Sequence, residues 1–183
     1  VTRAHVKEGG MTVDALCAAA ITQSDNTAAN LLLETIGGPK GLTDFARSLG
    51  DELTRLDRME PELNMASPGD ERDTTTPSAM VRDLQRLLAS DVLSQDSRAR
   101  LEGWMLANET GAKMIRAVVP TDWRVGDKTG RGGNGACNDI AILRPPSGGP
   151  LFLAIYVNAP NESAENRDRL VAEAAKIALE ALR

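Results

Sequence analysis

Histidine is almost missing from this chain of 183 residues: His5 is the only one. Cysteine occurs twice, at Cys17 and Cys137, and aromatic residues make up 3%. A zinc site built from His and Cys therefore lacks its ligands. A Ser-His-Asp triad would have to use His5, which sits in a polar stretch with no motif around it. Acid/base chemistry then falls to Glu, Asp or Lys, and no metal or organic cofactor is expected. The net charge is −5, no Lys/Arg cluster stands out, and basic residues do not interleave with aromatic ones. Nucleic acid is thus not an expected partner. No apolar run approaches the roughly 18 residues of a membrane span, so no membrane partner is expected either.

What remains is the composition of a folded globular chain, 42% hydrophobic and 26% charged. With so few aromatics the core must rest on Leu, Ala, Val, Ile and Met. The chain opens at Val1 without a methionine or a signal-peptide pattern. Its first residues read like the inside of a domain, so the expectation is a chain that begins in the middle of a gene product.

Apolar periodicity divides the sequence in two. Residues 1–108 read as a helical lobe and residues 109–183 as a sheet-and-helix lobe. Thr12 is placed to cap a helix over Val13 to Thr22. A second helix spans about Asn26 to Ile36, and a third opens at Pro39 and ends near Gly50. Arg55 to Asp73 has no clear period and reads as a long loop, a length usually reserved for functional or disordered segments. Thr76-Pro77 starts a helix to about Leu88, and Ser94 caps another over about Gln95 to Ala107. Strands are expected at Trp123 to Thr129, Asn138 to Leu143 and within Pro150 to Asn158. The glycine-rich Gly130 to Gly135 reads as a hairpin turn. A phosphate-binding loop would need its lysine after the glycines, and Lys128 precedes them. A helix from about Ser163 to Leu182 closes the chain. The fold class is α+β, an antiparallel sheet flanked by helices.

Two tripeptides stand out, Ser24-Asp25-Asn26 and Lys128-Thr129-Gly130. Each is a weak signal alone. Together and in this order they match two of the three signature elements of penicillin-binding serine enzymes. A third block, Arg58-Met59-Glu60-Pro61-Glu62-Leu63-Asn64, ends in Asp70-Glu71-Arg72-Asp73-Thr74-Thr75-Thr76-Pro77 and resembles the omega loop of class A serine β-lactamases. Leu16 to Leu33 and Gly37-Gly38-Pro39 resemble the same family. The likeness covers essentially the whole chain, as the C-terminal two-thirds of such an enzyme. The family's nucleophile lies in Ser-x-x-Lys, and no serine here stands three residues before a lysine. Only 23 residues precede Ser24, far fewer than the family places between these motifs. The expectation is an incomplete fold, with the nucleophile before Val1 and that N-terminal segment as a partner.

The resemblance implies hydrolysis of the β-lactam amide through an acyl-serine intermediate, in a bacterial periplasmic or secreted enzyme. It makes Glu60 the general base that activates water for deacylation, with Asn64 holding the same water. It makes Ser24 the proton donor to the departing nitrogen and Asn26 a ligand of the substrate's side-chain amide. Asp25 is implied to be structural. Lys128 supplies positive potential, Thr129 donates a hydrogen bond to the substrate carboxylate, Gly130 is a substrate-binding residue, and the Arg131 N–H is one oxyanion donor. Arg58 and Asp73 are implied to pair and close the loop, with a cis bond between Glu60 and Pro61. Cys17 falls where some members carry a disulfide cysteine. Cys137 departs from the pattern, near a position where many members place a carboxylate-binding arginine. Arg131 and Arg167 are positional candidates for that cation.

Two other readings stand beside this one. A D,D-peptidase or transpeptidase of the same superfamily shares the acylation motifs but lacks the loop carboxylate, and Glu60 with Asn64 opposes it. Alternatively the chain is a non-catalytic fragment that needs its N-terminal partner, in which case it is inactive alone.

Overall fold

The computed structural model describes residues 1–182. A short helix α1 (Thr2–His5) and a tight turn at Val6–Glu8 open the chain, neither long enough to show a sequence period. Helix α2 (Val13–Thr22) begins where Thr12 accepts a hydrogen bond from the Ala15 N–H. Helix α3 (Asn26–Thr35) follows after three residues, and α4 (Gly38–Ser48) starts at Gly38 rather than Pro39. Pro39 sits in its first turn, where a missing N–H costs nothing. Thr76 caps α5 (Pro77–Ala89), Ser94 caps α6 (Gln95–Leu106), and Ser163 caps α7 (Ala164–Ala181). Each cap of this kind contributes about 1 kcal/mol and fixes where its helix begins.

Strands β1 (Arg124–Arg131), β2 (Ala136–Arg144) and β3 (Leu151–Asn158) form one antiparallel sheet in the order β1-β2-β3. Lys128 stands opposite Ile140, Thr129 opposite Asp139, and Arg131 opposite Cys137. Pairing therefore runs through Gly130 and Arg131, which the sequence reading assigned to the turn. The turn needs only Gly132 to Gly135. Asn134 and Gly135 both have positive φ, +50° and +76°, as a two-residue hairpin turn of the twisted type requires.

Alternation along β1 and β2 sends side chains to two different cores. Val125, Cys137, Ala141 and Leu143 join Val171, Ala175 and Leu179 of α7, together with Met114 and Ile115. Ile142, on the other face, joins Leu84 and Leu88 of α5 and Met105 of α6. Each fully buried Val, Leu, Ile or Met among them contributes about 1.5–3 kcal/mol. Packing α5 and α6 on one face and α7 on the other leaves β1 with no strand beyond it among the described residues. That open edge carries Lys128 and Thr129.

Candidate active site

The junction between α2 and α3 is a three-residue bend with Ser24 at φ +54°. A non-glycine residue rarely holds that conformation, and where it does a local demand is being met. Ser24 is not the helix cap. Asp25 is, its Oδ1 accepting from the Ala28 N–H at 3.0 Å. Asp25 also accepts from the N–H and the hydroxyl of Thr2, at 2.9 and 3.0 Å, which ties α1 to α3. With the cap supplied by its neighbour, the Ser24 side chain is turned outward. Its Oγ accepts a hydrogen bond from Lys128 Nζ, across 104 positions of sequence. Lys128 Nζ also donates to the Thr129 carbonyl at 2.7 Å. Burial pushes the Lys128 ammonium below its ordinary pKa, while the charges of Glu60, Asp127 and Asp139 pull it back up. Because the lysine donates, the Ser24 hydroxyl proton is free for another acceptor.

The long loop is closed at its base. Asp73 Oδ2 accepts from Arg58 Nε at 2.5 Å, and its Oδ1 accepts from the N–H groups of Asp57 and Arg58 at 2.7 and 2.9 Å. The Asp73 carboxylate is 2% exposed, so this ion pair is not one of the surface kind that contributes almost nothing. Inside the loop the Glu60-Pro61 bond is cis. Glu60 is half-buried, and its carboxylate accepts from Asn64 Nδ2 one turn later. Burial raises the Glu60 pKa, against the opposing pulls of Asn64 and of the Lys128 charge. The far side of the loop rests on the hairpin turn. Gly133 N–H donates to the Asn64 carbonyl at 2.7 Å, and Asn134 Nδ2 donates to that of Met65 at 3.0 Å. A Cβ at Gly132 or Gly133 would collide with those carbonyls, so only glycine admits this approach.

Gly132 N–H bonds the Ala136 carbonyl across the hairpin. Antiparallel ladders alternate, so the N–H of Arg131, one residue earlier, points out of the open edge. The Thr129 carbonyl, reached by Lys128, points the same way. The Arg131 side chain is engaged elsewhere: its guanidinium pairs with Asp168 of α7 at 2.6 Å and lies 3.6 Å from the buried Cys137 sulfur. Arg131 is therefore a cation already neutralised by a carboxylate. Arg167 lies on α7, with its Nε buried and without a partner.

Behind Thr129 a polar chain runs through the exposed Thr110 to the buried Asn108 and Asp127. Thr129 Oγ1 meets Thr110 Oγ1 at 2.6 Å, and Thr110 Oγ1 meets Asn108 Oδ1 at 2.8 Å. Asn108 Nδ2 donates to Asp127 Oδ2 at 2.7 Å, and Arg116 holds Asp127 Oδ1 with Nε at 3.0 Å and with Nη2. Asp127 and Asp139 are both fully buried, and burial together with the Asp127 charge pushes Asp139 up to about 8. Gly111 has no room for a Cβ beside the Asp127 carboxylate.

Among the residues singled out in the sequence, the structure brings Ser24, Lys128, Thr129, Glu60 and Asn64 into hydrogen-bonded pairs, and joins Arg58 to Asp73. Asn26 occupies the first position of α3 and is exposed, and Gly130 lies on β1 opposite Asn138. Cys17 and Cys137 are both free thiols. No cluster of His, Cys, Asp or Glu suited to a metal is found among the described residues. Sequence reasoning missed Asn30, whose side chain clasps the Glu60 backbone. It also missed Asn108, Thr110 and Arg116. One signal was present for Asn30: an asparagine inside a helix, one turn after Asn26, is an unfavourable choice unless its amide has a partner.

The sequence model of the Beta-lactamase enzyme family matches residues 3–182. A β-lactamase of Amycolatopsis lactamdurans is 50% identical over 182 residues, all of this chain and 60% of that protein. The carbapenem-hydrolyzing β-lactamase KPC of Klebsiella oxytoca is 50% identical over 174 residues, 94% of this chain and 59% of its own length. The solved structure of the last common ancestor of Gram-negative bacteria class A β-lactamase superposes with a TM-score of 0.96 at 56% identity. That match covers 99% of this chain and 69% of the ancestor's. The α+β fold and the family are thereby settled: this chain belongs to the class A β-lactamases. It spans about 60% of the length of the curated relatives it matches.

Proposed function

We propose that this chain supplies the deacylation and substrate-binding half of a β-lactam hydrolase. The observation that carries this reading is Glu60, half-buried with its carboxylate on Asn64 and its backbone pinned to α3. A carboxylate held so firmly, with Lys128 nearby to favour its ionised form, suits a base that removes a proton from one positioned water. A D,D-peptidase has no use for such a group.

In this reading a serine outside these 183 residues attacks the lactam carbonyl. The C–N bond of the ring breaks, the ring nitrogen takes its proton from the Ser24 hydroxyl, and the proton released by the attacking serine replaces it on Ser24. Lys128, by donating to Ser24 Oγ, keeps that proton directed away from itself. The outward N–H of Arg131 donates to the carbonyl oxygen as negative charge develops there. Thr129 and Gly130 border the substrate's carboxylate, and Asn26 takes its side-chain amide. Water activated by Glu60 and Asn64 then attacks the ester carbonyl, and the serine leaves with the proton that Glu60 accepted. Asp25, Arg58 and Asp73 hold the parts in place, and Cys17 sits on the helix before Ser24. The remainder of the protein is an N-terminal segment carrying Ser-x-x-Lys, and the whole is a periplasmic or secreted bacterial protein.

The test joins this chain to such a segment and follows a chromogenic cephalosporin. Turnover by the joined protein, and none by the 183 residues alone, is expected. Turnover or a covalent adduct with the isolated chain would overturn the assignment of the nucleophile.

A further inference from the structure

Asp51 and Asp83 stand on the two flanks of the long loop. Asp51 lies between α4 and the loop's entry, and Asp83 lies in α5, the helix that begins just past the loop's end. Asp51 Oδ1 accepts from the N–H groups of Leu53 and Thr54, at 2.7 and 3.1 Å. Entry and exit are then joined: Thr54 Oγ1 meets Thr75 Oγ1 at 2.6 Å, and the Arg55 N–H donates to the Thr74 carbonyl at 3.0 Å. Beside this base the Asp51 and Asp83 carboxyls come within hydrogen-bond reach of each other. Both residues are buried, and Asp51 Oδ2 and Asp83 Oδ1 have no partner. Two carboxylates side by side in the interior do not both ionise readily, whereas one proton between them satisfies both orphaned oxygens. The donors already on Asp51 favour its charged form, so the proton belongs to Asp83.

We propose that the Asp83 carboxyl donates its proton to the Asp51 carboxylate and so latches α5 to the entry of the loop that carries Glu60. The charged groups around the pair are engaged elsewhere or act only at a distance. Arg47 of α4 donates to the Asp51 and Thr54 carbonyls, at 2.6 and 2.7 Å, and faces Glu52 at 3.7 Å. Arg82 and Arg86 of α5 act on Asp83 through their charge alone, and burial and the Asp51 carboxylate outweigh them, pushing Asp83 up to about 6. Tyr156 of β3 stays protonated, its phenol pushed up to about 12 by burial and by the Asp83 charge. The latch is therefore closed in acid. It opens as pH rises through about 6, when two like charges come to face each other at the base of the loop.

Neutron diffraction on deuterium-exchanged crystals of the full-length protein, held at pH 5, locates the proton. A deuteron is expected on Asp83, on the line to Asp51. A deuteron on Asp51 instead, or none on either carboxyl, overturns the proposal, and this readout holds whether or not the protein hydrolyses any lactam. Amide hydrogen exchange in solution reads the latch itself, at the N–H groups of Leu53, Thr54 and Arg55. In Asp83→Asn the side-chain amide donates to Asp51 at every pH, so the latch stays closed. Between pH 5 and pH 7.5, protection corrected for the intrinsic effect of pH is expected to fall about ten-fold further in the parent than in Asp83→Asn, the effect of one hydrogen bond to a charged group. Equal falls in the two proteins overturn the proposal. If Asp83→Asn does not fold, the deuteron position in the parent decides.

Discussion

Asn30 and Glu60 hold one another in both directions: Asn30 Nδ2 donates to the Glu60 carbonyl at 2.9 Å, and the Glu60 N–H donates to Asn30 Oδ1 at 2.8 Å. A side-chain amide is the only neutral group that can close such a pair with a peptide. The clasp fixes the residue that carries the proposed base to α3, the helix that begins at the Ser24 bend. Asn30→Ala is expected to lower stability by about 1–2 kcal/mol, the sum of two ordinary hydrogen bonds. Deacylation should slow at least ten-fold while acylation holds, because the first tripeptide is untouched. Thermal melting and the lifetime of the acyl-enzyme by intact mass check both parts.

The base of the loop makes a sharper stability prediction. Removing Asp73 leaves the Arg58 guanidinium and two backbone N–H groups without their acceptor. Asp73→Ala should cost about 3 kcal/mol, in the range for breaking one side of a buried pair. Asp73→Asn keeps an acceptor oxygen and should cost less. Urea unfolding of the full-length protein measures the order of the two variants; equal stability of Asp73→Ala and the parent would contradict the account.

Much of the fold could be read from the sequence because its signals are local. Thr12, Thr76, Ser94 and Ser163 each begin a helix where a hydroxyl is expected to cap one, and the apolar run Leu151 to Val157 forms a strand. The site was legible only as far as its motifs. Ser24 and Asp25 are both residue types that suit a helix cap; the structure gives the cap to Asp25 and the bend to Ser24. The Asn108–Asp127 bond joins the end of α6 to β1, and the Arg131–Asp168 pair joins β1 to α7. Such contacts depend on how elements pack, and no window of sequence contains them. The extension of β1 through Arg131 was hidden for a similar reason: Gly130 reads as a breaker, but pairing with β2 overrides its poor strand propensity.

The Glu60 carboxylate titrates above the ordinary glutamate range because it is half-buried, and Asn64 pulls the other way. An acid with a raised pKa becomes a base only at higher pH, so the acidic limb of deacylation should lie above that of an exposed glutamate. Asn64→Ala removes a hydrogen bond to the charged form and should shift the limb up further, by about one pH unit. Single-turnover deacylation across pH 4 to 8 reads the limb directly. A limb that moves down in Asn64→Ala would mean that another group is titrating.

A second pH effect belongs to stability. Asp51 and Asp83 are 3% and 7% exposed, and Asp51 Oδ2 and Asp83 Oδ1 have no hydrogen-bond partner. Burial and the neighbouring Asp51 carboxylate push Asp83 up from 3.8 to about 6. The folded state then binds its proton more tightly than the unfolded chain does. The stabilisation is present below about pH 4 and lost as pH rises through 6. Asp139 and Glu60, also raised, titrate in both proteins, so the parent should lose about 3 kcal/mol more than Asp83→Asn over that window. Urea midpoints at pH 4 and pH 7.5, with unchanged slopes, test the difference.

The most direct measurement is the mass of the full-length Glu60→Gln protein after mixing with a penicillin. Glutamine keeps the shape and the contact with Asn64 but cannot take a proton from water. Acylation should proceed, and an adduct of the intact penicillin mass should persist for hours while the parent clears its own within seconds. A variant that sheds its acyl group at the parent rate would show that the carboxylate on the loop is not the base.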